Sequence, residues 1–274
     1  MLLGSIGVLA LAIALCWGLL GGAGVLACGG IFVLGYIVLV LLAFLFLWAV
    51  TSAVDQEVPQ EHDSRFYRWI IRLYVPAVMS LLRIRMDFQG QEKLPKDGRF
   101  LMVCNHLSIL DPVVLLGCFP KSQLAFISKQ ENSAMFIIGN LMHKIMCQKI
   151  NRENDREALK TILKCIQMLK NDEVSVCVFP EGYTSRDGKL HHFRSGVFKI
   201  ATKAQVPIVV CSLQNTEKVF HNAKRLRSTD VRLHVIGVIR PEAFQGRTAV
   251  DISQEAYDLM LADLGEAFLP ENEE

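Results

Sequence analysis

The sequence predicts an α/β fold: a mixed, largely parallel sheet covered by helices and preceded by N-terminal membrane helices. Three observations carry this reading. Residues 1–54 contain no Asp, Glu, Lys, Arg or His. Further on, short apolar runs such as Phe100–Cys104 and Val174–Phe179 read as strands buried on both faces. Between such runs lie segments with apolar residues at helical spacing, and alternating strands and helices favour a sheet covered on both sides.

A bilayer core takes roughly 20 helical residues to cross, so the uncharged stretch is too long for one span and suits two. Glycine is a poor helix former, and the cluster from Gly21 to Gly30 is the expected break. This gives helices over residues 2–20 and 31–50, a membrane hairpin within 1–54. A single long span and a cleaved signal are the alternatives, and the lack of Lys or Arg before the apolar run speaks against the signal. Arg65, Arg68, Arg72, Arg83 and Arg85 follow, with no acidic residue from Ser64 to Met86. Such an excess of cations marks the cytoplasmic side, so the active domain is expected there. Within 55–82, arginines mix with Phe66, Tyr67, Trp69, Ile70 and Leu73, the pattern of a helix lying in the membrane interface with a kink at Pro76. The alternative is a helix packed on the domain that occupies 83–270.

That domain opens with period-two alternation, Ile84, Met86 and Phe88 against Arg83, Arg85 and Asp87, the signature of a half-buried strand closed by Gly90. A loop over 91–98 and the strand Phe100–Cys104 follow. Asp111-Pro112 then opens a helix, with proline at a favoured first position and Asp111 as a cap. Further strands are expected over Gln123–Ser128, Val174–Phe179, Val206–Leu213 and Val231–Ile239. Helices are expected over 155–170, from Ser195 to Lys203 and over 252–267. Eight cysteines show no C-x-x-C pair, which fits free thiols in a reducing compartment. A net charge of +2 without a stacking platform argues against nucleic acid.

His106 follows a buried strand and Asp111 begins the next helix. Five residues apart on one helix their side chains would diverge, but a strand-to-helix loop can bring them together at the carboxyl edge of the sheet. A carboxylate holding one imidazole N–H leaves the other nitrogen as a base. G-x-S-x-G is absent, so the base is expected to activate a substrate hydroxyl directly. The plainer reading makes Asp111 a cap and His106 a loop residue.

After the strand ending at Phe179, Pro180-Glu181-Gly182 turns into a polar loop containing Arg186 and Arg194 and leading to a helix near Ser195. Arginine forks and helix N-termini both suit phosphate. Glu181 is expected either to accept a bond from a glycerol hydroxyl or to shape the loop. His191-His192 is read as exposed loop, since no metal-ligand spacing accompanies it. Lys129 and Lys144 could aid phosphate or donor binding, but solvated surface is the plainer reading.

In order, the chain carries Asn105-His106 with Asp111, Lys149-Ile150-Asn151-Arg152, Phe179-Pro180-Glu181-Gly182 and Val206-Pro207-Ile208-Val209-Val210. These blocks resemble those of the glycerolipid acyltransferases, the family that includes the 1-acylglycerol-3-phosphate acyltransferases. The resemblance covers about residues 65–240. It implies a glycerol-3-phosphate acyltransferase-like fold, with His106 as base and Asp111 as its partner. It further implies Arg152 on the acceptor phosphate, Glu181 and Gly182 lining the acceptor site, and Pro207 shaping the segment behind. The chain departs from the family where Tyr183-Thr184 stand in place of Thr-Arg; Arg186 or Arg194 is expected to fill that vacancy.

The implied activity is acyl transfer from acyl-CoA or acyl carrier protein to a membrane-derived lysophospholipid, giving phosphatidic acid, with no metal or organic cofactor. Transfer to another lyso-lipid such as a lyso-aminolipid, a non-catalytic lipid-binding protein, and a hydrolase using water are the alternatives.

Overall fold

A computed structural model describes residues 2–22, 24–151, 154–185 and 187–270. Helices α1 (Leu2–Gly21) and α2 (Val25–Ser52) form the apolar hairpin. The break is confined to the few residues before Val25, and Gly29 and Gly30 lie inside α2 rather than before it, contrary to expectation. Gly29 and Gly30 face open space, and the close approaches between the two helices fall at other glycines. A Cβ on Gly18 would meet Cys28 Sγ at 2.5 Å, and one on Gly35 would touch Ala10. Gly18 and Gly35 thus serve close helix–helix approach, as small residues do in lipid. Among the described residues α2 alone is long and apolar enough to cross a membrane; the apolar stretch Leu2–Gly18 is shorter.

Helix α3 (Arg65–Leu81) runs on through Pro76. Tyr67 and Tyr74 donate their hydroxyls to the α2 carbonyls of Val50 and Ala43, at 2.9 and 2.6 Å. Arg65, Arg72, Phe66 and Trp69 are exposed, but Arg68 is not the surface cation expected of an interfacial helix. It is 5% exposed and pairs through Nε with Asp63 at 2.9 Å. It also donates to the carbonyls of Leu124 and Ile145. A buried guanidinium keeps its charge only when its donors are satisfied, and these partners satisfy it.

The domain continues with β1 (Ile84–Gln89), β2 (Leu101–Cys104), α4 (Asp111–Cys118), β3 (Leu124–Lys129), α5 (Phe136–Lys144) and β4 (Gln148–Ile150). Then come α6 (Asp155–Lys170), β5 (Ser175–Val178), α7 (Lys199–Ala204), β6 (Ile208–Gln214), α8 (Val219–Lys224), β7 (Thr229–Ile239) and α9 (Ala249–Leu264). The strands form one sheet in the order β1-β7-β6-β2-β5-β3-β4. All neighbours are parallel except β6 and β7, which are antiparallel. The mixed, largely parallel sheet expected from the sequence is thus the observed one.

Local signals explain several boundaries. Asn154 caps α6 by accepting from the N–H groups of Arg156 and Glu157, and Thr248 with Asp251 forms a capping box at α9. Asp111, expected to cap α4, is instead its first residue, because its carboxylate is turned back on the preceding loop. Helices α5 and α8 and the short strand β4 were not expected. The last helix begins at Ala249, three residues before its expected start.

Two apolar layers flank the sheet. Val103, Val178 and Val210 face α6, α7 and α9 on one side. Met102, Cys177 and Val209 face α4 and α8 on the other. Helix α3 packs on α4, while α5 lies against α2. The hairpin and its supports therefore occupy the α4 layer, and α6 and α7 lie on the opposite one. The eight cysteines are free thiols. Burial pushes the Cys118 thiol up to about 12 and that of Cys147 to about 11, so these behave as small apolar side chains.

Candidate active site

Strand β2 lies at the centre of the sheet, with β5 and β6 on either side. Just past its end, Asn105 locks onto β6: its Oδ1 accepts the Leu213 N–H at 2.7 Å, and its Nδ2 donates to the Leu213 carbonyl at 2.9 Å. This double bond to a neighbouring strand fixes where the next residue, His106, leaves the sheet.

His106 and Asp111 meet as the loop argument anticipates, with Nδ1 2.8 Å from Asp111 Oδ2. The same oxygen accepts the N–H groups of Leu107 at 2.7 Å and Ser108 at 2.9 Å. The residues between His106 and Asp111 thus wrap the carboxylate, which is fully buried. A carboxylate accepts, so Nδ1 carries the proton and Nε2 is the nitrogen left to act as a base. The ring stacks on Phe179, with centroids 4.1 Å apart and planes 16° from parallel.

The loop after β5 braces the loop after β2. Glu181 Oε1 accepts the His106 N–H at 2.8 Å, and Oε2 accepts the His191 N–H at 3.1 Å. The carboxyl group is 1% exposed, and burial pushes it up to about 7 against the pull of those two amides. Of its two expected roles, Glu181 is therefore placed to shape the loop, with both oxygens turned to backbone and not to the substrate cavity. The Ser185 N–H adds a further tie, to the His106 carbonyl at 2.7 Å.

Gly182 adopts φ 87°, and a Cβ there would come within 2.7 Å of Arg194 Nε. Both the backbone conformation and the close approach require glycine. Arg194 is exposed and lines a notch of about 150 Å³ with Asp155, Phe179 and Gly182. Arg152 and Arg186, the other expected phosphate ligands, lie outside the described residues.

His106 also lines a larger cavity of about 860 Å³. Its walls are Ile71 and Val75 of α3, Val113 and Leu116 of α4, Leu141 and Met142 of α5, and the rings of Phe126 and Phe179. Polar groups gather at one end, where Gly182, Tyr183, Thr184 and His191 join His106. Lys129 is exposed, as expected, and also borders the same cavity. His191 bonds Asp187 through Nε2 at 3.1 Å. An apolar volume meeting a base and polar groups at one end can hold an alkyl chain with its reactive head beside the imidazole.

Residues 85–214, which hold the His–Asp pair and much of the cavity wall, match the model of the Acyltransferase family. Relatives that match the chain include 1-acyl-sn-glycerol-3-phosphate acyltransferases. The chloroplastic BAT2 of Brassica napus is 33% identical over 176 residues, 63% of this chain and 50% of that protein. A probable enzyme of this name from Mycoplasma pneumoniae is 29% identical over 201 residues, covering 71% of this chain and 74% of that one. The human alpha form is 28% identical over 190 residues, covering 67% and 64%. The chain thus spans half the length of the Brassica relative. The fold is shared with the crystal structure of the 1-acyl-sn-glycerophosphate acyltransferase PlsC from Thermotoga maritima. Its TM-score is 0.63 at 22% identity, covering 83% of this chain and 89% of that one.

Proposed function

We propose that this protein transfers a fatty acyl group from a thioester, acyl-CoA or acyl carrier protein, to the free hydroxyl of 1-acylglycerol-3-phosphate, giving phosphatidic acid. The observation that carries the proposal is the 2.8 Å pairing of His106 with Asp111 at the wall of an apolar cavity of about 860 Å³. In this reading Nε2 of His106 takes the hydroxyl proton as the oxygen attacks the thioester carbonyl. The tetrahedral oxyanion collapses, the C–S bond breaks, and the imidazolium returns its proton to the leaving thiolate. Asp111 holds the tautomer and stabilises the imidazolium. Arg194, with Arg152 and Arg186, binds the acceptor phosphate, and no metal or organic cofactor takes part. Helices α1 and α2 anchor the protein in a membrane, with the domain on the cytoplasmic side receiving lyso-lipid from the bilayer.

A second acceptor class is favoured by one observation: Thr184, where the family carries arginine, borders the cavity. A lyso-aminolipid would need less positive charge there.

The test is transfer of labelled acyl groups in membranes containing wild-type or His106→Ala protein, with phosphate-bearing and amine-bearing lyso-lipids as acceptors. General-base catalysis contributes about 10²–10⁴ in rate, and the Ala variant should lose that much. Full activity in the variant would remove His106 from the mechanism.

A further inference from the structure

The layer opposite the hairpin carries a charged surface that the proposed chemistry leaves unused. On α6, Leu159 and Leu163 are 56% and 55% exposed. One turn apart, they share a flank of the helix. Arg156, Lys160 and Lys170 project around that flank and are exposed. Helix α7 packs alongside and adds the exposed cations Lys199 and Lys203. No acidic residue occurs from Ala158 to Lys170, nor from Leu190 to Asn215. The acids of α6, Asp155 and Glu157, fall in its first turn, where Glu157 is held by Asn151 at 2.9 Å.

The position of this surface is as informative as its charge. Helix α6 leads from β4 into β5, and the segment containing α7 leads from β5 to β6, all parallel strands. Both crossovers therefore start on the carboxyl edge, where His106 sits. The notch lined by Asp155, Ala158, Val197 and Arg194 lies between the two starting ends. It shares Phe179, Gly182 and Ile127 with the large cavity. The basic face thus runs up to the edge of the reaction site.

We propose that the α6–α7 face docks an acidic carrier protein bearing the acyl group as a thioester, with Leu159 and Leu163 as the apolar centre and the cations around them as the charged rim. This rests on the acyl-transfer reading above and adds the donor's form. Charge complementarity selects an acidic partner. The partner is a soluble protein rather than an anionic bilayer because the hairpin, α3 and α5 occupy the other side of the sheet. A donor seated here extends its thioester arm over the carboxyl edge of the sheet toward Phe179 and His106, leaving Arg194 to the acceptor phosphate.

The experiment compares full-length wild type with Lys160→Glu/Lys203→Glu and, separately, Leu163→Ser, in detergent–lipid micelles. Each is given the same acyl group on acyl carrier protein, on coenzyme A and on uncharged pantetheine. The charge-reversal variant should raise KM for the carrier-protein donor about tenfold with kcat unchanged, and the difference should fade at high salt, as expected for charges at an interface rim. The pantetheine donor should stay within twofold, which also shows that the fold is intact. Leu163→Ser should raise KM for the carrier-protein donor alone. An unchanged KM for that donor overturns the proposal. So does an equal rise with coenzyme A, which would make the face a reader of donor phosphate, or loss of binding to phosphatidylglycerol vesicles in place of a KM effect. Transfer by wild type from coenzyme A but not from the carrier protein overturns it while leaving the acyltransferase reading intact. Failure with every donor removes that reading itself.

Discussion

Glu181 Oε1 accepts the backbone N–H of His106 at 2.8 Å, so the loop after β5 is a splint for the loop after β2. The base of the proposed reaction is thereby positioned from two directions. Asp111 holds its ring, and Glu181 holds its backbone.

The splint is pH-sensitive, and the sign can be worked out. Burial raises the Glu181 carboxyl from its ordinary 4.5 to about 7, so the folded protein binds this proton more tightly than the unfolded chain does. Its contribution to stability is fully present below about pH 4.5 and is lost as pH rises through about 7. The melting temperature of the wild type should therefore fall across this window more steeply than that of Glu181→Gln, which cannot ionise there. The variant should also be less stable at low pH, by about 1–3 kcal/mol, because one of the two amides loses its acceptor. Parallel pH–melting curves for the two proteins would show both effects, and equal slopes would show that Glu181 does not titrate in this range.

Asp111→Asn separates charge from shape. One oxygen, Oδ2, accepts all three donors: His106 Nδ1 and the N–H groups of Leu107 and Ser108. An asparagine oxygen in that place keeps every bond but removes the negative charge facing the imidazolium. The loop should survive and the rate should fall by about 10²–10⁴. A melting temperature near wild type combined with this loss would assign the effect to chemistry. Unchanged activity would make Asp111 a loop-forming residue only.

Much of this site was legible because its geometry is local. A buried strand, a short loop and a helix beginning Asp-Pro suffice to place His106 beside Asp111, and no distant contact is needed. The role of Glu181 was not legible to the same degree. Whether a carboxylate in a polar loop faces a substrate or two backbone amides depends on the His191 segment folding over it. Helix α5 is faint in the sequence because Phe136–Leu141 is a brief apolar run beside a strand of three residues, β4. With it went one wall of the cavity. Arg68 departs from its sequence pattern for a related reason. Helical spacing places it with Arg65 and Arg72, but only the tertiary structure supplies Asp63 and the carbonyls of Leu124 and Ile145 as its partners.

Gly182→Ala tests the turn that joins the cavity to the notch. At φ 87° a side chain carries a strain of about 1–2 kcal/mol. The new Cβ would also stand 2.7 Å from Arg194 Nε, so the guanidinium must swing away. The expected outcome is a modest loss of melting temperature with a larger rise in KM for a phosphate-bearing acceptor than for one without phosphate. An equal rise for both acceptors would detach Arg194 from phosphate binding.

Arg68→Leu should be the most destabilising of these substitutions although it lies outside the reaction centre. It leaves Asp63 buried without its cation and strips donors from the carbonyls of Leu124 and Ile145. Breaking a buried pair from one side costs about 3–5 kcal/mol. Asp63 is already raised from its ordinary value by burial, with Arg68 pulling it down, so removing Arg68 should push its proton uptake to higher pH. Asp63→Leu/Arg68→Leu should recover part of the loss by removing the stranded charge, but not all of it, because the two carbonyls stay unpaired. Arg68 ties α3 to the start of β3 and to the residue after α5, and both α3 and Ile145 line the cavity. Chemical denaturation of the single and double variants would measure the stability terms. Acyl-chain preference in the double variant would report the cavity, and it should broaden as α3 loosens. A single variant as stable as wild type would show that the buried Arg68–Asp63 pair contributes no net stability.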